Sequence, residues 1–287
     1  MKLPDILSFP DVKLRICEAL AEDLGPKKID ATSFALVPQG EAAKAHLVAR
    51  EAGVLAGGPV AAEVFRQVNA DLKVVQKKND GTKVNPGDVV LTVSGSARAM
   101  LVAERTALNF IQRMTGIATM TRRYVEEVNN PDVLILDTRK TTPTLRTFEK
   151  YSVVCGGGTN HRYGLFDRVL IKDNHLAHWT RTGGTLADAV MESRKKYPGL
   201  LVEVEVDTID QLNEVLVAKP DWVLLDNMLP LKLRECVKLC DGICKTEASG
   251  GVNLKTIREI AKTGVNAISV GALTHSAPSM DLALDFV

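Results

Sequence analysis

The sequence predicts an α/β protein, with a small N-terminal α+β domain followed by a parallel α/β barrel that is open or incomplete. The 287 residues exceed the usual size of one domain, and a hydrophobic content of 45% suffices for a large core. Beyond Pro131, six short apolar segments alternate with helical patterns, fewer than a complete barrel requires. The last four segments begin 21 to 23 residues apart, which is the spacing of consecutive βα units.

The N-terminal part shows helical patterns interleaved with short strand patterns. Helices are predicted at residues 11–24, 59–68 and 97–129. Short strands are predicted at residues 45–49, 74–76 and 89–93. In the first helix, apolar residues recur every fourth position, and Gly25 with Pro26 ends the pattern. The third helix has a possible break at Thr115 and Gly116.

Each predicted barrel strand is followed by polar or glycine-rich residues. The strands are predicted to begin near Val133, Arg168, Leu201, Trp222, Cys244 and Ala267. The residues that come directly after them are 137–140, 172–175, 205, 226–227, 249–251 and 271–272. The carboxyl ends of parallel strands meet at one face of a barrel, where barrel active sites lie. We therefore expect one site built from all six strand ends.

The last two strand ends are candidates for binding a phosphate. Ser249, Gly250 and Gly251 close one strand, and Gly271 with Ala272 closes the next, each before a short predicted helix. Free backbone N–H groups in such loops can surround a phosphate, and this is a common place for one in barrels. The alternative is that both segments are only tight βα turns.

Two carboxylates end neighbouring strands inside otherwise apolar runs. Glu205 and Asp226 could together hold Mg²⁺, bind sugar hydroxyl groups, or face positive charge that develops on a ribose ring. The alternative is a structural carboxylate paired with a nearby lysine.

A dense group of cations lies between residues 137 and 175. Its candidate binding residues are Arg139, Lys140, His161, Arg162 and Lys172. Together they could neutralise a ligand with two carboxylates, because arginine supplies bidentate geometry and lysine a compact charge. Each residue alone could equally be a surface cation. Arg105 lies on the third predicted helix, where its spacing indicates a solvated or ion-paired helical residue.

Composition excludes several classes of protein. The formal net charge is +1, so the whole chain gives no reason to expect nucleic acid as a partner. The five cysteines form no paired framework, and Cys236, Cys240 and Cys244 are predicted to be buried thiols and not metal ligands. The N-terminus lacks a charged segment followed by an apolar stretch, and no apolar run approaches the roughly 20 residues of a transmembrane helix. We expect a cytoplasmic protein without a membrane partner.

Seven motifs occur in an order that resembles the quinolinate phosphoribosyltransferase family. They are ERTALNFIQRMTGIAT (104–119), LDTRKTTP (136–143), GGGTNHRYGLFD (156–167), IKDNH (171–175), EVEVD (203–207), LLDN (224–227) and EASGGV (247–252). The resemblance covers most of the chain. One position departs from the family pattern, since Thr144 stands where the family usually has glycine, and this leaves the backbone conformation of that turn open.

The resemblance implies a reaction and an assembly. The family condenses quinolinate with phosphoribosyl pyrophosphate and releases nicotinate mononucleotide, pyrophosphate and CO₂ for NAD synthesis, with Mg²⁺ as the expected cofactor. Its members are homodimers or larger. By resemblance, the fold is an N-terminal α/β sandwich domain (residues 1–113) followed by an incomplete parallel α/β barrel (residues 114–275), and residues 276–287 return to the first domain.

The resemblance also implies roles for individual residues. Quinolinate carboxylates are bound by Arg139, His161, Arg162 and Lys172, together with Arg105 from a neighbouring subunit. The phosphoribosyl pyrophosphate and Mg²⁺ region contains Lys140, Glu205 and Asp226, so that the catalytic set is Lys140, Lys172, Glu205 and Asp226. The 5′-phosphate is bound by Ser249, Gly250, Gly251, Gly271, Ala272 and His275.

Three alternatives remain at this point. A related enzyme linked to molybdenum transport operons shares the fold and many motifs, although a different substrate should alter Arg139, His161 or Arg162. A phosphate-binding barrel isomerase or lyase is the interpretation without the resemblance. A ligand-binding regulator on the same scaffold would not need Glu205 and Asp226.

Overall fold

The computed structural model describes residues 3–287, which divide into two compact units. Within the described part, the first unit contains residues 3–122, 141–157 and 273–287. The second contains residues 123–140 and 158–272. The segment between residues 141 and 157 therefore belongs to the first unit, although it lies between two strands of the second. A boundary between residues 113 and 114 stays a prediction.

The first unit is built around a four-stranded antiparallel sheet. Its strands are β1 (Ala42–Ala49), β2 (Gly53–Val54), β3 (Lys73–Gln76), β4 (Lys83–Val84), β5 (Val89–Ser96) and β12 (Leu282–Phe286). The order in the sheet is β12-β1-β5-β3, and β2 pairs separately with β4. The three predicted strands are confirmed as parts of β1, β3 and β5. The C-terminal strand β12 joins β1 in antiparallel register, with Leu47 opposite Leu284.

Helices and one short 3-10 segment (Ile6–Ser8) complete this unit. The helices are α1 (Pro10–Leu24), α2 (Ala31–Leu36), α3 (Gly58–Val68), α4 (Ala97–Val128), α5 (Arg146–Cys155) and α11 (Ala272–His275), of which α4 ends and α11 begins in the second unit. The predicted helix at residues 11–24 is confirmed by α1, whose fourth-position residues Val12, Ile16 and Leu20 are all buried.

The third predicted helix has no break. Helix α4 runs continuously through Thr115 and Gly116, so the predicted interruption there is wrong. A Cβ atom on Gly116 would lie 1.9 Å from the carbonyl oxygen of Pro278. The glycine is therefore explained by close backbone approach to the C-terminal segment and not by a helix end.

The second unit contains a six-stranded parallel sheet flanked by helices. Its strands are β6 (Leu134–Leu136), β7 (Val169–Ile171), β8 (Val202–Val206), β9 (Trp222–Asp226), β10 (Lys245–Ser249) and β11 (Ala267–Ser269). Its helices are α6 (Asp173–Trp179), α7 (Leu186–Lys196), α8 (Ile209–Leu216), α9 (Pro230–Cys240) and α10 (Ile257–Ala261), with a 3-10 turn at Thr180–Thr182. All six predicted strands are confirmed.

The order of these strands is β6-β11-β10-β9-β8-β7, with every neighbouring pair parallel. Strands β6 and β7 are the two edges, so the barrel is incomplete, as predicted. Along β8, Val202, Val204 and Val206 share one buried face, because side chains alternate across a strand. The opposite face carries Glu203 and Glu205, and it is this face that builds the site. No helix in residues 3–287 is long and apolar enough to cross a membrane.

Candidate active site

The strand-end residues predicted from the sequence lie at the C-terminal edge of the six-stranded sheet. Arg139 and Lys140 follow β6, and Lys172 follows β7. Glu205 is the fourth residue of β8, and Asp226 is the last residue of β9. The other strand-end residues are Ser249, which ends β10, and Gly271 with Ala272, which follow β11. The alternating βα pattern therefore located this edge correctly, whereas the roles of the individual side chains stay predictions.

Two other predicted site residues belong to the first compact unit. Arg105 is exposed on helix α4. His275 is exposed at the end of α11, where its Nδ1 lies 2.6 Å from the hydroxyl of Ser276. Their participation in the site stays a prediction.

Arg139 and Arg162 place two guanidinium groups near each other in the second unit. Both are partly buried. Burial and the charge of Arg139 lower the pKa of Arg162. One Nη of Arg162 donates to the carbonyl oxygen of Arg168 at 3.2 Å, which fixes the direction of the side chain. Two partly desolvated cations at one strand edge repel each other, and an anionic ligand would relieve that repulsion.

Lys172 connects the cations to the carboxylates. Its ammonium group donates to Glu205, which confirms that Glu205 pairs with a lysine in this structure. Lys172 is 43% exposed and Glu205 is 11% exposed, so the pair lies at the mouth of the site and a ligand can compete with it. The backbone N–H of Lys172 donates to Nδ1 of His175 at 2.9 Å. His175 therefore shapes the start of α6.

Asp226 and the glycine loop after β10 are held together by Asn227. The side-chain amide of Asn227 donates to Asp226 at 2.6 Å, and its backbone N–H donates to the carbonyl oxygen of Ser249 at 2.9 Å. Gly250 has φ +93°, and a Cβ there would lie 2.1 Å from Oδ1 of Asn227. Only glycine fits at this position, because both the backbone conformation and the space exclude a side chain.

The two candidate phosphate loops differ in the structure on their C-terminal side. Helix α11 begins at Ala272, directly after Gly271, as predicted. By contrast, α10 begins only at Ile257, so residues 252–256 separate Gly251 from the short helix that follows it. The intervening residues form a turn in which Asn253 accepts from and donates to its neighbours. A phosphate at Ser249 and Gly250 would therefore meet loop N–H groups and not a helix terminus.

Glu205 and Asp226 suit Mg²⁺ by the chemistry of their donors. They supply carboxylate oxygens at one strand edge, and Mg²⁺ is usually held by one or two carboxylates together with substrate phosphates. They do not form a closed protein cage, since no group of three metal-ligating side chains in residues 3–287 includes either of them.

A buried polar cluster of His161, Glu203 and Glu247 lies below this edge. The sequence predicted a role for His161 but none for the two glutamates. Glu203 and Glu247 are completely buried, and Oε2 of each lies near Nε2 of His161, at 3.1 and 3.3 Å. Burial and the charge of Glu203 raise the pKa of Glu247. Alternation along the strands could have indicated that both glutamates point toward the site, since Glu203 shares its face with Glu205 and Glu247 shares its face with Ser249.

Both ring nitrogens of His161 are engaged within the protein. The backbone N–H of Arg162 donates to Nδ1 at 2.7 Å, and Nε2 faces the two carboxylates. Burial alone lowers the pKa of His161, but the hydrogen bond to Glu203 and the neighbouring carboxylate of Glu247 outweigh it and raise the pKa to about 9. The Arg162 contact opposes protonation of Nδ1. In either charge state, Nε2 carries the proton that points to the carboxylates. A contact between His161 and a bound ligand stays a prediction.

The open parallel barrel, with cations and carboxylates at its C-terminal edge, defines a barrel enzyme that handles an anionic small molecule. Residues 30–115 match the model of the quinolinate phosphoribosyl transferase N-terminal domain, and residues 117–285 match that of the C-terminal domain. The chain therefore belongs to the quinolinate phosphoribosyl transferase family.

Individual relatives agree with this assignment. The chain is 42% identical over 282 residues to the nicotinate-nucleotide pyrophosphorylase [carboxylating] of Mycobacterium leprae, covering 96% of this chain and 98% of the relative. It is 40% identical over 265 residues to the probable nicotinate-nucleotide pyrophosphorylase [carboxylating] of Bacillus subtilis, covering 92% and 89%. The solved structure of the nicotinate-nucleotide pyrophosphorylase from Francisella tularensis superimposes with a TM-score of 0.92 at 38% identity, covering 100% of both chains.

Proposed function

We propose that the protein transfers the phosphoribosyl group of phosphoribosyl pyrophosphate to the ring nitrogen of quinolinate and then releases the C2 carboxylate as CO₂. The products are nicotinate mononucleotide and pyrophosphate, and the reaction belongs to NAD biosynthesis. The observation that supports this most directly is the ion pair between Lys172 and Glu205. One partner belongs to a cationic region with Arg139 and Arg162, and the other to a carboxylate region with Asp226. A dianionic acid requires the first kind of region, and a ribosyl donor requires the second.

The cationic region is assigned to quinolinate. Arg139 and Arg162 each offer a planar fork of donors that can bind a carboxylate in a bidentate manner, whereas Lys172 offers a single compact charge. Two adjacent carboxylates on one ring would neutralise cations that repel each other in this structure. Binding in this way also holds the ring nitrogen at a fixed angle to the sugar, which lowers the entropic barrier of the reaction.

The carboxylate region is assigned to the ribosyl donor. As the bond from C1 of the ribose to pyrophosphate breaks, positive charge develops on the sugar, and Glu205 and Asp226 stabilise it. Mg²⁺ bound by these two carboxylates would neutralise charge on the pyrophosphate. Lys140, exposed after β6, supplies a further cation for the leaving group. The loops at Ser249–Gly251 and Gly271–Ala272, with His275, bind the 5′-phosphate.

Decarboxylation follows from the product of the first step. Once the ring nitrogen carries the ribose, the pyridinium accepts the electron pair that is released when the C2 carboxylate leaves as CO₂, and C2 then takes up a proton. The cationic side chains orient the ring and exclude water from it. No covalent intermediate with the protein is needed.

The direct test measures pyrophosphate and CO₂ release from quinolinate, phosphoribosyl pyrophosphate and Mg²⁺. The purified protein should release both products in equal amounts, and a folded protein without turnover would contradict the proposal. In the same assay, Arg139→Lys should raise KM for quinolinate about tenfold or more, because lysine cannot form the bidentate contact. KM for phosphoribosyl pyrophosphate should change little. The matched control is Arg234→Lys, an exposed position on α9.

We also propose that the enzyme is a homodimer or larger and that Arg105 enters the site of a neighbouring subunit. The exposed position of Arg105 on α4 is compatible with this role. Arg105→Ala and Arg139→Ala should each be inactive alone. After unfolding and refolding together, an equal mixture should recover about a quarter of the wild-type activity, since half of the dimers are mixed and each mixed dimer has one intact site. No recovery would show that both residues act in one chain.

We also propose that the protein acts in the cytoplasm. All five cysteines are free thiols, which is compatible with a reducing compartment.

A further inference from the structure

The polar cluster beneath the site occupies positions where a barrel normally has apolar residues. Side chains that point inward from alternate strands form the packed layers of a barrel, and branched apolar residues dominate them. Strands β8 and β10 are alternate strands here, and they contribute Glu203 and Glu247, both at 0% exposure. Burying two carboxylates costs free energy that apolar residues of similar volume would not cost. Packing alone therefore does not explain them.

Glu203 is the centre of this cluster. Its Oε2 accepts from Nη1 of Arg168 at 3.2 Å and faces Nε2 of His161 at 3.1 Å. The Arg168 guanidinium also lies over the ring of Trp222, 5.5 Å from its centroid. Oε2 of Glu247 lies 3.3 Å from the same Nε2 of His161. The two glutamates thus hold His161, and Glu203 additionally holds Arg168.

The residues held by Glu203 are the ones that fix Arg162. The backbone N–H of Arg162 donates to Nδ1 of His161 at 2.7 Å. Its guanidinium donates to the carbonyl oxygen of Arg168 at 3.2 Å. The backbone N–H of His161 is itself anchored on Asp137 at 2.9 Å. Arg162 is therefore constrained at its backbone and at its side chain, and both constraints lead to Glu203.

We propose that Glu203 and Glu247 are positioning residues that act through His161 and Arg168 to aim Arg162 at a carboxylate of the substrate. This inference rests on the proposed function, since it assumes that Arg162 binds quinolinate. Glu203 has the larger effect because it holds both intermediary residues, whereas Glu247 faces His161 and Ser269. Both glutamates are fully buried, and neither belongs to the strand-end residues assigned to the ribosyl donor, so the effect is confined to the acid substrate.

The experiment compares Glu203→Gln, Glu247→Gln and Glu203→Met with wild type. Glutamine keeps the shape and removes the charge that orients two donors, whereas methionine removes both acceptor oxygens at similar volume. Glu203→Met should raise KM for quinolinate by roughly ten- to a hundredfold, because a small displacement of a binding group has effects of this order. Glu203→Gln should raise it less, and Glu247→Gln least. KM for phosphoribosyl pyrophosphate should stay within about twofold in all three.

The control is Glu259→Gln, an exposed carboxylate in the same unit, which should leave both constants unchanged. Unchanged KM for quinolinate in folded Glu203→Gln and Glu203→Met would overturn the proposal, and so would equal increases in both KM values, which indicate general structural damage. Should Glu203→Met not fold, Glu203→Gln decides alone.

A binding measurement separates this proposal from the proposed function. Calorimetry with phthalate, an aromatic 1,2-dicarboxylate that cannot react, should show weaker binding to Glu203→Gln than to wild type or Glu259→Gln. Wild-type phthalate binding without turnover of quinolinate would contradict the proposed function and leave the positioning role supported if Glu203→Gln weakens the binding. Equal phthalate affinity of Glu203→Gln and wild type would overturn the positioning role even if quinolinate is turned over.

Discussion

Replacing Thr144 by glycine should stabilise the first compact unit. Thr144 has φ +67°, in the left-handed region, and it is exposed in the turn before α5. A non-glycine residue pays about 1–2 kcal/mol for this conformation, and β-branching makes threonine one of the poorer choices. Glycine avoids this cost, but its unfolded chain has greater conformational freedom, which offsets about 0.5–1 kcal/mol of the gain in stability. The expected net gain is about 0.5–1 kcal/mol in the free energy of unfolding.

The measurement is urea unfolding at pH 7, followed by far-UV circular dichroism. Fluorescence would not report on this unit, since both tryptophans, Trp179 and Trp222, lie in the other unit. The control is Lys77→Gly, an exposed loop position with ordinary negative φ, where the same glycine cost should appear as a loss of stability. Loss of stability in Thr144→Gly equal to that in the control would refute the assignment of strain to Thr144.

Two further predictions concern packing and thiol reactivity. Gly116→Ala should lower the free energy of unfolding by about 2–3 kcal/mol, because the new methyl group meets a backbone carbonyl that cannot rotate away. Urea unfolding measures this change. The control is Asn109→Ala, at an exposed position on the same helix, which should cause little change. Alkylation at pH 8 followed by mass spectrometry should label the exposed Cys17 first. Burial raises the pKa of the Cys155 and Cys236 thiols, so both should stay unlabelled until the protein is unfolded, and rapid labelling of either would contradict their placement.

The prediction of the fold succeeded where the signal was local. The spacing of βα units and the alternation within strands are properties of short segments, and they located all six parallel strands. Polar residues immediately after those strands could be assigned to one edge, because parallel topology leaves no other arrangement for them. The turn at Thr144 was the opposite case, since the substitution of the family glycine was visible but its φ of +67° was not.

The errors arose where a long-range contact decided the outcome. Gly116 resembles a helix break in sequence, yet its small size serves close contact with Pro278. The contact of Glu203 with His161 was not predicted for the same reason, because His161 lies 42 residues earlier in the chain. The amino-acid sequence of a motif shows that a carboxylate is present, but only the folded structure shows which groups surround it.

The sequence by itself determined the class of fold, the edge that carries the site and the family, because periodicity, spacing and motif order are written along the chain. The tertiary structure alone decided which side chains meet. It paired Lys172 with Glu205, buried Glu203 and Glu247 around His161, and linked Arg162 to both His161 and Arg168. These contacts depend on the register of strands that are distant in sequence, and hydrogen bonds and ion pairs change over fractions of an ångström.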